Sequence, residues 1–209
     1  MSSETFYRIA LPALFVAFLV VDLLLPLARL RRTAGTWGVP LLRTRNRRER
    51  VVSLALTLVV LVLAVGVARF GLVGPAAVGA RVPPAPVAFA GLGLLALAIA
   101  LVALAQRQMG TSLRVGLAAE PTALVSEGLF RWVRNPIFLG MLVGLAGVVL
   151  VAPAPWSVAV WLAGAAAIGV QTRLEEQHLR ARHGEAYLAY ASRVGRFFPG
   201  VGRLRARGR

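Results

Sequence analysis

The chain has 209 residues, of which 58% are hydrophobic and only 15% are charged, and its mean hydropathy is +0.73. A soluble domain of this length is usually roughly 45–50% apolar. Uninterrupted apolar runs long enough to cross a bilayer therefore indicate a helical integral membrane protein. The chain has no cysteine, which excludes disulfides, thiolate metal sites and cysteine nucleophiles.

Five apolar runs predict an all-α, polytopic membrane fold with about five transmembrane helices. The runs are Ile9–Leu27, Val51–Leu72, Val87–Ala105, Ile137–Val151 and Trp156–Val170. The first run is too long for a signal-peptide core, so we expect it to be a retained span. Each of the last two reaches only about 22 Å across a hydrocarbon layer of ~30 Å, so we expect both to extend into their polar flanks. Pro153 and Pro155 would make the tight reversal between them.

The arginines predict how the helices are oriented. All 24 basic residues are arginine: eight lie in residues 28–50, four in 106–135 and nine after residue 170. The three on the other side are Arg8, Arg69 and Arg81. The positive-inside rule makes the first side cytoplasmic, with the N-terminus outside and the C-terminus in the cytoplasm. Because this charge sorts by membrane side rather than along one soluble face, the net charge of +16 does not indicate a nucleic-acid partner.

Asp22 is the only acidic residue inside a predicted span. Charged side chains within a membrane are rare and are usually paired or face a cavity. We expect Asp22 to pair with an arginine, and a position lining a cavity is the alternative.

A polar element precedes the fourth apolar run. Arg131, Arg134 and Asn135 come directly before Pro136, which suits the first turn of a helix. The N–H groups of that turn would attract a carboxylate or phosphate, and Arg134 could add a bidentate contact. The alternative is that the arginines only mark the membrane interface, which is the favoured interpretation for Arg131.

Acidic and aromatic side chains follow the fifth run. Glu175 or Glu176 could bind an ammonium group or ribose hydroxyls, or Glu176 could pair with Arg180 on an exposed helix. Tyr187 and Tyr190 share a helical face and could stack on a purine or face a cation, although tyrosines at this spacing are often interfacial anchors. The two histidines are five residues apart, which is not a zinc-ligand spacing, so we expect no metal site.

At these residues the chain resembles the isoprenylcysteine carboxyl methyltransferase family, including its bacterial members. The resemblance covers residues 106–199, nearly half the chain, and rests on four elements in order. They are Met109-Gly110-Thr111-Ser112-Leu113-Arg114, Arg134-Asn135-Pro136-Ile137-Phe138, Glu175-Glu176, and the tail pattern of Gly184, Tyr187, Tyr190, Val194, Arg196 and Pro199. Leu113 replaces a tryptophan of the pattern, and Asn135 stands where many members have histidine.

The resemblance implies an integral membrane methyltransferase that uses S-adenosylmethionine and acts from the cytoplasmic side on a lipophilic or membrane-embedded acceptor. Residues 106–209 would form its core and residues 1–105 three N-terminal helices, in the inner membrane of a bacterium. Catalytic roles would fall to Arg134, Asn135 and Glu176. The implied cofactor-binding residues are Gln106, Met109, Arg134, Asn135, Pro136, Phe138, Glu175, Glu176, His183, Tyr187 and Tyr190. Because Asn135 carries no titrating group, the acceptor stays open.

Two other classes of protein compete with this interpretation. A membrane reductase of the sterol or steroid type would use NADPH. Such proteins tend to have a glutamate after the glycine of an Asn/His-Pro-Asn-Tyr-x-Gly element, whereas here Met141 follows Gly140. If the chain were a transporter or assembly factor, the gathering of polar groups at one cytoplasmic mouth would need another explanation. The lack of charged chains along the spans argues against a transporter.

Overall fold

A computed structural model describes residues 2–34, 47–110 and 124–204, and these residues are almost entirely helical. The α-helices are α1 (Ser3–Leu19), α2 (Leu25–Ala34), α3 (Arg47–Val73), α4 (Ala85–Met109), α5 (Pro136–Val151) and α6 (Pro155–Arg193). A π-helical turn, Val20–Leu24, joins α1 to α2, and short 3₁₀ turns lie at Ala76–Val78 and Gly128–Arg131. Within the described ranges there are isolated β-bridges but no strand. The all-α, polytopic fold predicted from the sequence is confirmed.

Four helical segments are long and apolar enough to cross a membrane: Ser3–Arg29, Arg47–Val73, Ala85–Met109 and Pro155–Arg193. They contain four of the five predicted spans, and each helix extends beyond its predicted span, the last one as far as Arg193. Leucines and valines of α3 such as Leu54, Leu58 and Val65 are exposed, as expected for side chains that face lipid rather than water. The chain is therefore an integral membrane protein.

The fourth apolar run departs from the prediction. Helix α5 begins at Pro136 and ends at Val151, so it is about 24 Å long and does not extend into its flanks. Helix α6 does extend, reaching 39 residues, with a kink at Gly184 where φ is 52° and ψ is −125°. Proline at the first turn of α5 has no N–H to continue the helix backwards, and this fixes where the short helix begins.

The predicted tight reversal between the last two apolar runs is present. Helix α5 ends at Val151 and α6 begins at Pro155. The buried hydroxyl of Ser157 accepts a hydrogen bond from the backbone N–H of Ala154 at 3.2 Å and lies 2.7 Å from the carbonyl oxygen of Ala152, to which it donates. The turn is thus closed by one side chain, and α5 and α6 form an antiparallel hairpin.

Glycines bring α4 and α5 into close contact. A Cβ at Gly91 of α4 would lie 2.8 Å from the carbonyl oxygen of Gly147, and a Cβ at Gly140 would lie 2.7 Å from Val102. Gly144 faces Ala98 of α4 and Phe18 of α1. The small-xxx-small pattern of Gly140 and Gly144 therefore serves packing within one chain.

Two groups of buried apolar residues fill the protein. The larger joins α1, α3, α4, α5 and the apolar part of α6. The smaller consists of Tyr187, Tyr190, Ala191 and Val194, with Leu124, Leu179 and Leu204 packed against it. Because the smaller group lies beyond the apolar run of α6, it positions the C-terminal tail at the cytoplasmic end predicted from the arginines.

Substitution of Gly91 tests the contact between α4 and α5. We expect Gly91→Ala to destabilise the protein by about 1–3 kcal/mol, because the new methyl group would overlap a backbone carbonyl that cannot move aside. Gly93→Ala is the matched control, since nothing lies within 4 Å of a Cβ at Gly93 on the same helix. Thermal unfolding in detergent measures both variants. Equal melting temperatures for the two would contradict the packing.

The orientation predicted from the arginines can be tested with single cysteines, because the chain has none. Arg81 and Arg180 are both exposed and lie on opposite sides in the predicted topology. We expect a membrane-impermeant maleimide to label Arg81→Cys but not Arg180→Cys in intact cells, and to label both once detergent opens the membrane. The reverse labelling pattern would show that the chain has the opposite orientation in the membrane.

Candidate active site

The backbone before α5 is paired with the C-terminal tail. The N–H of Arg134 donates to the carbonyl of Gly195 at 2.8 Å, and the N–H of Asn135 donates to that of Arg196 at 3.2 Å. A Cβ at Gly195 would overlap the backbone carbonyl of Phe198, so only glycine fits this tail crossing. The tail therefore returns to the start of the membrane hairpin and holds Arg134 and Asn135 in place.

The guanidinium of Arg134 is buried and all its donors are used. Its side chain is only 1% exposed. Nε and Nη2 donate to Glu176 Oε1 at 3.1 and 2.9 Å, Nη1 donates to the carbonyls of Ala191 and Val194 at 3.0 and 2.5 Å, and Nη2 also reaches the carbonyl of Gly202 at 3.0 Å. With five hydrogen bonds for five N–H groups, Arg134 has no donor left for a ligand in this arrangement.

Glu176 is the acceptor at the centre of the site. Besides Arg134, its carboxylate accepts from Arg196, whose Nη2 lies 2.7 Å from Oε2, and from the amide of Asn135 at 3.3 Å. The predicted alternative, a pair with Arg180 on an exposed helix, is wrong, because Glu176 is buried and faces Arg134 and Arg196. We call Arg134, Glu176 and Arg196 the buried ion triad.

The triad lies beyond Val170, where the apolar run of α6 ends. Burial alone would raise the pKa of Glu176, but hydrogen bonds from Arg196 and Arg134 and their positive charges outweigh it, so the pKa lies below its ordinary value of 4.5. The hydrogen bond to Glu176 in turn raises the pKa of Arg196. Both groups are therefore charged at neutral pH.

Two tyrosines pack beside the triad, and their hydroxyls differ. Tyr190 donates to the carbonyl of Phe130 at 2.6 Å, and its ring centroid lies 6.2 Å from that of Tyr187. Tyr187 is 1% exposed and its hydroxyl makes no hydrogen bond. Burial and the nearby charge of Glu176 raise the pKa of Tyr187 to about 12, so this hydroxyl is a neutral donor without a partner. The interfacial-anchor alternative does not fit such buried side chains.

The structure brings together Arg134, Asn135, Pro136, Glu176, Tyr187 and Tyr190 out of the predicted set. Glu175 is exposed, on the face of α6 near Glu49. Phe138 packs against the larger apolar group, and His183 lies half-buried next to the kink at Gly184. The predicted roles of these three residues stay predictions.

The end of α4 lies between the site and the first helix. The side chain of Gln106 points to the π-helical turn after α1, where it donates to the carbonyl of Asp22, and Gln108 accepts from the N–H of Leu129 at 2.7 Å. Met109 is the last residue of α4 and is half-buried. The rest of the predicted element, Thr111–Arg114, lies outside the described residues.

Sequence reasoning left Arg196 out of the predicted site, although it holds both oxygens of Glu176. The signal was present, because Arg196 belongs to the tail pattern of the family. Its distance from the membrane hairpin along the chain concealed that the tail folds back. Arg196 is also the partly exposed member of the triad, with 28% of its side chain accessible.

Comparison with known proteins finds one family match. Residues 87–186 match the model of the phospholipid methyltransferase family. This segment is similar to that family of methyltransferases. It contains most of α4, all of α5 and most of α6, and with them Arg134 and Glu176. Tyr187 lies just past its end. No curated protein and no solved structure gives a significant match. The family-level resemblance inferred from the motifs is confirmed.

Glu176→Gln tests the triad. We expect a loss of about 3–5 kcal/mol in the free energy of unfolding at neutral pH, because the variant leaves the buried charge of Arg134 without its counter-ion. Glu175→Gln removes the same charge at the next, exposed residue and should change stability little. Unfolding in detergent measures both, and equal losses would contradict the model of a buried triad.

The pH dependence of the stability of wild type and of Glu176→Gln gives a second test. Because the pKa of Glu176 is lower in the folded chain than its unfolded value of 4.5, the triad contributes its full stabilisation above that value. The contribution is lost as the pH falls through the folded-state pKa. We therefore expect the gap between wild type and Glu176→Gln to be constant from pH 7 to about 5 and to narrow below 4.5.

Proposed function

We propose that this protein is a methyltransferase that uses S-adenosylmethionine and methylates a lipophilic acceptor from the cytoplasmic side of a bacterial inner membrane. The observation that carries the proposal is the buried ion triad beside the unpaired hydroxyl of Tyr187. Both lie at the end of the hairpin that α5 and α6 form. Arg134 and Glu176 lie within the matched residues 87–186, and Tyr187 and Arg196 follow them. Polar groups of this kind at one mouth of a helical bundle suit a charged small ligand whose reaction partner lies in the bilayer.

The residues at the triad fit this cofactor, but Arg134 and Glu176 take a different role from the one predicted from the sequence. Arg134 has no donor left, so we assign it and Glu176 to positioning the tail rather than to contact with the cofactor. Arg196 is partly exposed, and within the described residues its Nη1 makes no hydrogen bond, which suits a carboxylate. Tyr187 offers a buried donor, and Oδ1 of Asn135 accepts no hydrogen bond from the described residues.

When bound, S-adenosylmethionine would supply an electrophilic methyl group on a sulfonium. The residues of this chain then have three tasks: Arg196 and Tyr187 orient the cofactor, Asn135 accepts from its ammonium or ribose, and the apolar group around Tyr187 and Tyr190 excludes water. Methyl transfer is an in-line displacement, so alignment of donor and acceptor is the main contribution the protein makes. The other predicted contacts, at Gln106, Met109, Pro136, Phe138, Glu175 and His183, belong to the same proposal.

Calorimetry on the protein in lipid nanodiscs tests the proposal. We expect S-adenosylmethionine and its demethylated product to bind, and NADPH not to bind. Tyr187→Phe should weaken binding by about 2- to 12-fold, the value of one hydrogen bond, without changing the melting temperature, because its hydroxyl has no partner in the protein. Arg134→Ala and Glu176→Ala should abolish binding, since each breaks the triad.

Tyr190→Phe is the matched control. It removes a hydroxyl that already donates to Phe130, so it should lower the melting temperature and leave the affinity of folded protein close to wild type. Binding of NADPH in place of both methyl-cofactor ligands would refute the proposal in favour of a reductase.

A further inference from the structure

The first membrane helix contains one acidic residue at membrane depth, Asp22. Asp22 lies half-buried in the π-turn Val20–Leu24. Among the residues the structure describes, no ion pair is found for it, and the pairing with an arginine expected from the sequence stays a prediction. A charge at membrane depth is costly, and such residues face the bundle interior or a hydrated cavity and belong to substrate or proton pathways.

The backbone around Asp22 is also unusual. The N–H of Leu25 donates to the carbonyl of Val20, five residues earlier, so this hydrogen-bonded turn contains one residue more than a turn of α-helix. π-turns are rare and occur frequently at functional sites. The carbonyl of Asp22 lies 3.5 Å from Nε2 of the buried Gln106, a long hydrogen bond that fixes the π-turn against α4. An acidic side chain at membrane depth and a π-turn held against α4 are two independent features at one residue.

Asp22 lies at the same end of the bundle as the ion triad. One turn before it, Phe18 packs at Gly144 of α5, and from Gly144 the start of α5 is about 12 Å away along the helix axis. Since α1 and α5 run in opposite directions, Asp22 lies between the level of Gly144 and that of Asn135. The same end of α4 contacts Asp22 through Gln106 and the turn before Arg134 through Gln108. Asp22 is thus on the membrane side of the site, where a lipophilic acceptor would enter.

We propose that Asp22 binds the methyl acceptor and takes the proton of its nucleophilic atom; this rests on the proposed function. In the transfer, the nitrogen or oxygen of the acceptor forms a bond to the methyl carbon while the carbon–sulfur bond breaks, and its electron pair stays on sulfur. The proton of that nitrogen or oxygen passes to the carboxylate of Asp22 and leaves from there to water. Charge and atoms balance without another reactant.

This role limits the class of acceptor. A carboxylate acceptor has no proton to give and would be repelled by Asp22 at membrane depth. A lipid amine or a lipid hydroxyl has the required proton and would be attracted or hydrogen-bonded. The methylated product is therefore an N-methyl amine or a methyl ether, both stable to mild alkali, and not a methyl ester, which alkali hydrolyses.

Proteoliposomes made from the total lipid extract of the producing cells, with radiolabelled S-adenosylmethionine, test the role of Asp22. We expect Asp22→Asn to reduce lipid labelling by about 100-fold or more, the size of a general-base contribution, while the melting temperature and the affinity for the demethylated cofactor stay at wild-type values. Asp22→Glu, which keeps the carboxylate, should recover part of the rate. Glu4→Gln removes the acid at the other end of the same helix and should leave labelling unchanged.

The chemistry of the labelled lipid completes the test. Label that mild alkali does not release as volatile methanol supports the proposal, and separation of amine from neutral lipids tells N-methyl from methyl ether. Label released by alkali as methanol, no lipid label from protein that binds the cofactor, or full activity of Asp22→Asn would each overturn it. A wild-type protein that does not bind the cofactor at all would instead overturn the proposed function, so the two failures are distinguishable.

Discussion

The buried charge of Arg134 is the constraint on which the polar end of this protein depends. A guanidinium with 1% exposure must be neutralised, and every one of its N–H groups needs an acceptor. Glu176 of α6 supplies the counter-ion, and carbonyls at the end of α6 and in the tail supply most of the rest. One residue at the start of a helix thereby fixes two segments that lie 40 to 70 residues further along the chain.

The unequal lengths of α5 and α6 make this arrangement possible. From the reversal, α5 rises about 22 Å back to Pro136, whereas α6 rises about 32 Å to reach Glu176. The carboxylate therefore stands beyond the end of α5, at the level that Arg134 reaches from its position two residues before the helix through its own long side chain. The shortness of α5 thus keeps the polar site at the mouth of the bundle.

The sequence predicts the apolar runs, the start of α5 at its proline, and the positions of Arg134 and Glu176 near the ends of two helices. Each of these follows from a local pattern. The partners of these charges were not predictable, since sequence shows two charged residues near helix ends but not which acceptors satisfy them. The tail is the clearest case: its return depends on Gly195, which admits the carbonyl of Phe198, and on the kink at Gly184. Neither glycine announces a long-range contact, so Arg196 was missed.

The acceptor side of the site requires a different part of the chain. Asn135 stands where a titrating histidine is common in the family, so the polar element before α5 has no group that could take a proton. The triad cannot replace it, because both oxygens of Glu176 are held by arginines. Asp22 is an acid inside a membrane helix near this end of the bundle, and it lies outside the family segment of residues 87–186. The residues assigned to the cofactor would then lie in and directly after the matched segment, whereas recognition of the acceptor would fall to the first helix, which lies outside it.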